Sequence, residues 1–208
     1  MVIAVTSDIV GSRRLDDRAG AQRLIDEAIA RAEADAPSAI RPLRPTVGDE
    51  QQGVYPRLES ALCATLLISL ALPDGIQLRF GIGIGDIGSV PAAAGAISEG
   101  PGWWAARAAI ERVHALAQRA VPEARTWVEA AAGEDASSLP TVNAYALARD
   151  RIVADMSERT RRLTYGRCLE RTQRDLAATE GITQSAVSQA LAAAGAAAIV
   201  TGFSAMRG

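Results

Sequence analysis

In the run "LRFGIGIG" at positions 78–85, Leu78, Phe80, Ile82 and Ile84 alternate with Arg79, Gly81, Gly83 and Gly85. A period of two puts the four apolar side chains on one face of a strand and the three glycines on the other. Glycine weakens a strand, so three on one face predict that something, a helix or a ligand, approaches that face closely. The flanking patterns extend the picture. "MVIAVTSDIV" reads as a buried strand ending near Asp8, and a helix follows from Leu15 to about Asp35, with Leu24, Ile25, Ala28 and Ile29 on its apolar face. Pro42 and Pro45 preclude a helix, so "SAIRPLRPTVGDEQQGVY" reads as two short strands turning at Gly48-Asp49. A second helix runs from Pro56 to Leu72, and a Gly/Ala-rich loop spans 88–101. A third helix runs from about Gly102 to Ala120, and an edge strand lies near 125–131. The order β-α-β-β-α-β-α is the ferredoxin-like plan with an added helix.

Composition narrows the class. With 208 residues, 49% of them hydrophobic and 22% charged, the chain supports one or two folded domains with a substantial core. The 22 basic residues are all arginine. Residues 1–150 carry 14 of them against 19 acidic residues, whereas 151–208 carry 8 against 5. The C-terminal part is therefore where a polyanion would dock. Two isolated cysteines, Cys63 and Cys168, suit a reducing compartment better than a stapled secreted fold. No basic n-region opens the chain and no apolar run reaches about 18 residues, so a cytoplasmic protein is expected and no membrane is a partner.

The strongest local signal is "QRDLAATEGITQSAVSQAL" at 173–191. Leu176 and Ala177 give one helix a buried face, and Gly181 permits a left-handed turn. Thr183 caps a second helix whose Val187 and Leu191 face inward, which is a helix-turn-helix. Gln184, Ser185, Ser188 and Gln189 would then point outward, where glutamine pairs with adenine edges and serine meets a base or a phosphate. Arg161, Arg162, Arg167, Arg171 and Arg174 would supply phosphate contacts to double-stranded DNA. The tail "GAAAIVTGFSAMRG" suggests a small wing or a returning segment over these helices. The fold class expected is α+β, a ferredoxin-like domain over residues 1–140 followed by a helix-turn-helix domain over 141–208.

Asp8 at a strand end and Asp49 at a hairpin turn would meet at one end of such a sheet. Two convergent carboxylates repel unless they share a proton or a cation, and Mg²⁺ held by one or two carboxylates plus phosphate oxygens is a common solution. Loop capping by Asp8 and ordinary turn chemistry at Asp49 and Glu50 are the plainer alternatives. Arg13 and Arg14 flank the place and would either meet phosphate or stand as ordinary surface charge. Trp103 and Trp104 read as packing residues or as a surface for a base, and His114 as an ordinary helix residue.

"VTSDIVGS", "TVGDEQQ" and "LRFGIGIGDI" resemble, in order and spacing, segments of the nucleotidyl cyclase and GGDEF palm-like domains. With "SDIVGSR", "GDEQQ", "WAARAAI" and the helical tail, nearly the whole chain resembles the SatD family, small bacterial proteins described as regulators. The palm-like resemblance implies Mg²⁺ binding at Asp8 and Asp49 with a backbone oxygen from Ile9. It also implies a phosphate or transition-state role for Arg107, with Arg13 and Trp103 as further candidates for contacting a nucleotide. Trp103 stands where the cyclases place asparagine, and Pro45 where they place the base-reading lysine. Three functions follow as expectations. The first is a homodimeric DNA-binding transcriptional regulator whose N-terminal domain binds a nucleotide or metal. The second is a Mg²⁺-dependent nucleotidyl transferase or cyclase-like enzyme, and the third a non-enzymatic interaction adaptor.

Overall fold

The computed structural model describes residues 2–12, 15–46, 48–92 and 95–207. The chain runs β1 (Ile3–Ile9), α1 (Arg18–Asp35), β2 (Arg41–Pro45), β3 (Gln51–Tyr55), α2 (Leu58–Ala71) and β4 (Leu78–Ile84). These six are the ferredoxin-like βαββαβ unit. Then come β5 (Gly88–Ala92), β6 (Gly95–Glu99), α3 (Pro101–Arg119) and β7 (Thr126–Ala130). Five further helices follow: α4 (Leu139–Ala154), α5 (Glu158–Cys168), α6 (Gln173–Glu180), α7 (Gln184–Ala193) and α8 (Ala196–Arg207). The main sheet has the order β2-β3-β1-β4-β7, with β1 antiparallel to both its neighbours and β7 parallel to β4. The fold class is α+β, as the patterning predicts.

Alternation sorts the sheet into two faces. Ile3, Val5, Ile9, Leu43, Tyr55, Phe80 and Ile82 are buried against α1 and α2. The other face is kept low for α3. A Cβ on Gly81 would sit 2.8 Å from the Ile110 nitrogen, and one on Gly83 would strike the Gly102 carbonyl and the Ala106 nitrogen. The close approach read from the glycines is therefore a helix lying backbone-to-backbone on β4. Trp103 and Ala106 pack there against Ala4 and Val54.

α2 is buried nearly all round because the sheet and α1 take part of its surface and α5 and α8 cover the rest. The core is accordingly continuous from Ile3 to Phe203. α4 seals the outer edge of β7 with side chains: Asn143 bonds both the nitrogen and the oxygen of Val128 (2.8 and 3.0 Å), and Asp150 accepts from the nitrogens of Arg125 and Thr126 (2.8 and 2.7 Å). A strand edge closed in this way offers no template for pairing with another chain. Among the described residues no single helix is long and apolar enough to cross a membrane.

Several expectations change. The stretch read as a loop over 88–101 holds the β5–β6 hairpin and the first residue of α3. The tail forms helix α8, which returns over α2 and α5 with Ile199 and Phe203 buried; it is not a wing. Leu24 is 41% exposed, so the apolar face of α1 is centred on Ile25, Ala28 and Ile29 instead.

Both cysteines are buried free thiols, and burial raises Cys63 to about 11 and Cys168 to about 12. The thiolate is the nucleophile. Iodoacetamide at pH 8 should therefore label neither cysteine in the native protein and both in 6 M guanidinium, as counted by intact mass; rapid native labelling of either would contradict this packing.

Candidate functional site

The register of β1 against β3 pairs Ser7 with Gln51, so the end of β1 lies beside the β2–β3 turn. Asp8 and the half-buried Asp49 thus belong to the same end of the sheet. Gly48 makes the turn with φ 73°, a left-handed conformation that suits glycine. The side chain of Asp8 is taken by Arg79, its register partner on β4: Nε and Nη2 donate to the two carboxylate oxygens at 2.8 and 2.9 Å. This is the bidentate fork that arginine forms best. Arg79 also touches His114 Nδ1 on α3, and His114 Nε2 lies 2.7 Å from Gln118 Nε2.

Arg107 projects from α3 toward the turn, where Nη2 bonds both oxygens of Glu50 at 3.1 and 3.0 Å. Its side chain is 61% exposed, and such a pair contributes under about 1 kcal/mol. It is therefore easily exchanged for another anion. Trp103 is enclosed between α3 and the sheet, with the Arg41 guanidinium 5.6 Å from its ring centre and, among the described residues, no partner for its indole nitrogen. Trp104, at the next position, is the exposed indole. The Ile9 side chain lies in the core on the opposite face, so only its backbone could serve a ligand. Arg13 lies outside the described residues.

This donor set does not fit a metal ion held through Asp8. Both of its oxygens are engaged by Arg79, and among the described residues no group of three or more His, Cys, Asp or Glu side chains comes together. The sequence carried a signal for this pairing: aligning "VTSDI" antiparallel to "LRFGI" sets Asp8 opposite Arg79. That alignment depends on a contact 71 residues apart in the chain.

The SatD family sequence model matches residues 2–200. The chain belongs to the SatD family. Among curated proteins none matches this SatD-family chain. Among solved structures it is similar to a bacterial light-regulated adenylyl cyclase, at 12% identity and a TM-score of 0.44, over 61% of this chain and 74% of that one. It is also similar to the adenylyl cyclase CyaB from P. aeruginosa, at 15% identity and a TM-score of 0.31, over 48% of this chain and 65% of that one.

The second candidate surface of this SatD-family protein is on α7. Gly181 adopts φ 65° and ψ 34° at the end of α6, and the Ile182 nitrogen returns to the Ala177 carbonyl at 3.0 Å. Thr183 Oγ1 accepts from the Ala186 nitrogen at 3.1 Å and lies 2.9 Å from Ser185 Oγ, so Thr183 fixes how α7 begins. Gln184, Ser185, Ser188 and Gln189 are all exposed on one face of α7, while Val187 and Leu191 are buried on the other. Arg171 and Arg174 are exposed nearby in sequence; Arg171 donates to Thr179 Oγ1 at 2.8 Å.

Two of the arginines expected to meet phosphate are committed elsewhere. Arg162 pairs with Glu158 and Glu180, and Arg161 donates to Asp74 and to the carbonyls of Leu72 and Met156. Gly166 is the close-packing position that sequence reading missed: a Cβ there would run into Leu176 of α6. Its signal was a lone glycine inside an otherwise helical pattern.

Proposed function

We propose that this SatD-family protein is a cytoplasmic, homodimeric DNA-binding regulator that reads duplex DNA with α7 and takes a nucleotide at the palm-like sheet. One observation carries the DNA reading: the capped helix-turn-helix leaves four hydrogen-bonding side chains exposed together on the second helix. In this reading Gln184, Ser185, Ser188 and Gln189 meet base edges, Arg171 and Arg174 meet phosphates, and Thr183 holds the helix N-terminus in place. Support for an anionic ligand at the sheet is narrower. Arg107 is largely exposed, and among the described residues its one ion-pair partner is the readily exchanged carboxylate of Glu50. No metal-dependent transfer step is assigned, because Asp8 is already paired with Arg79.

Fluorescence anisotropy on the full chain tests the DNA reading. Affinity for duplex should fall steeply between 50 and 200 mM salt, by roughly tenfold or more even for a few phosphate contacts. Arg171→Ala with Arg174→Ala should weaken all duplexes alike, whereas Gln184→Ala with Gln189→Ala should weaken a selected duplex more than random DNA by about 1–3 kcal/mol per lost base contact. Sedimentation of the protein alone should give twice the 21.7 kDa chain mass. Salt-independent affinity, or affinity unchanged in all four variants combined, would leave the helical module as a protein-contact surface.

A further inference from the structure

A cleft of about 80 Å³ opens where the α2–β4 turn and the start of β7 meet α4 and α5. Five charged side chains line it. Four of them cancel: Arg149 pairs with Asp150 at 3.0 Å, and Arg161 with Asp74 at 2.7 Å. Arg125 is the remainder. Its Nε and Nη2 donate to Gln77 Oε1 at 3.1 and 2.7 Å, and its Nη1 donates to the carbonyls of Pro122 and Ala124, each at 2.7 Å. Neutral acceptors thus hold four of its five N–H groups, and among the described residues no carboxylate pairs with its side chain. Asp150 bonds only its backbone nitrogen.

The guanidinium is fixed in place and one N–H is left over. The cleft carries one net positive charge, and Leu66, Leu72, Leu78 and Val153 give it apolar walls. Sites of this kind, concave, largely apolar and oriented by a few polar groups, form preferentially where packed units meet. We propose that the cleft binds a small aliphatic monocarboxylate, its carboxylate on Arg125 and its hydrocarbon body against the leucines. Burial lowers the Arg125 pKa against the opposing fields of Asp150 and Glu123, each of which has another arginine as its ion-pair partner. A dianion would overcharge the cleft, and a neutral molecule would leave Arg125 uncompensated. An occupant would bridge the Asp74 turn to α5, the helix that leads into the helix-turn-helix.

The test is calorimetric titration of the full chain at constant ionic strength with butyrate, butanamide and inorganic phosphate as probes. Butyrate should bind saturably in the millimolar range expected of so small a ligand. Butanamide and phosphate should bind at least tenfold more weakly. Arg125→Gln should weaken butyrate at least tenfold. Ala154→Leu should do the same by filling the mouth from an exposed position at the end of α4, so the question stays decidable if the arginine variant folds poorly. Equal binding of butanamide, a preference for phosphate, no saturable butyrate heat, or butyrate binding unchanged in Ala154→Leu would overturn the proposal. The titration contains no DNA, so failure of the DNA reading would leave its outcome unaffected.

Discussion

Arg149→Ala should destabilise the fold by about 3–5 kcal/mol, the usual consequence of leaving one member of a buried ion pair alone. Arg149 is 2% exposed and links three elements, donating to the Leu62 carbonyl of α2, to Thr126 Oγ1 of β7 and to Asp150. Without it, Asp150 would keep its two backbone N–H donors but lose its counter-ion. Burial already raises the Asp150 pKa, and Arg149 is the largest influence holding it down. In the variant that pKa should rise further. A carboxyl whose folded pKa exceeds its unfolded value takes up a proton on folding, so its contribution to stability is lost as pH rises through the folded value. Urea melts should accordingly show Arg149→Ala less destabilised at pH 5 than at pH 7.5. Adding Asp150→Asn should recover part of the loss at pH 7.5. A uniform loss below 1 kcal/mol would mean that the pair is not buried as described.

Gly83→Ala should cost about 3 kcal/mol, at or beyond the upper end of ordinary overpacking. The new methyl would meet the Gly102 carbonyl and the Ala106 nitrogen, which are backbone atoms of α3 and cannot rotate away. Relief would require lifting α3 from β4. A second glycine sets the contrast. A Cβ on Gly202 of α8 would find its nearest neighbours, Cε2 and the hydroxyl oxygen of Tyr145, at an ordinary 3.5 Å, so Gly202→Ala should gain about 0.5–1 kcal/mol from helix propensity. The two variants differ from wild type by one methyl each and should shift the urea midpoint in opposite directions. A destabilisation of Gly83→Ala under 0.5 kcal/mol would rule out direct backbone contact between α3 and β4.

The features legible in the sequence are those whose signal is local. The alternating glycines at 81, 83 and 85 announced the close approach, and Leu176, Gly181, Thr183 and Val187 announced the α6–turn–α7 pair, because both patterns fit within twenty residues. The β5–β6 hairpin escaped notice because "SVPAAAGAIS" has a proline, small residues and no apolar alternation. α8 was harder to read because its Ala-rich run is short and interrupted by Gly202, although Ile199 and Phe203 stand one helical turn apart. The site was harder to read. Asp8 looked like half of a metal pair because its arginine lies on another strand, and Arg125 becomes distinctive only after every neighbouring carboxylate has been given a partner. Such assignments depend on register and exclusion, which residue spacing does not encode.

The all-round burial of α2 bears on how the protein is made. When the ribosome has released the sheet and its first three helices, the surface of α2 that α5 and α8 will later cover is still facing water. Residues 131–207, a further 77, must emerge before α8 can close it. During that interval the nascent chain presents Cys63, Leu67 and their neighbours to whatever is nearby, a binding site for a holdase chaperone and a nucleus for aggregation. Slow translation through the arginine-rich stretch before α6 would prolong the exposure, so soluble yield should depend on synthesis rate as well as on the stability of the finished fold.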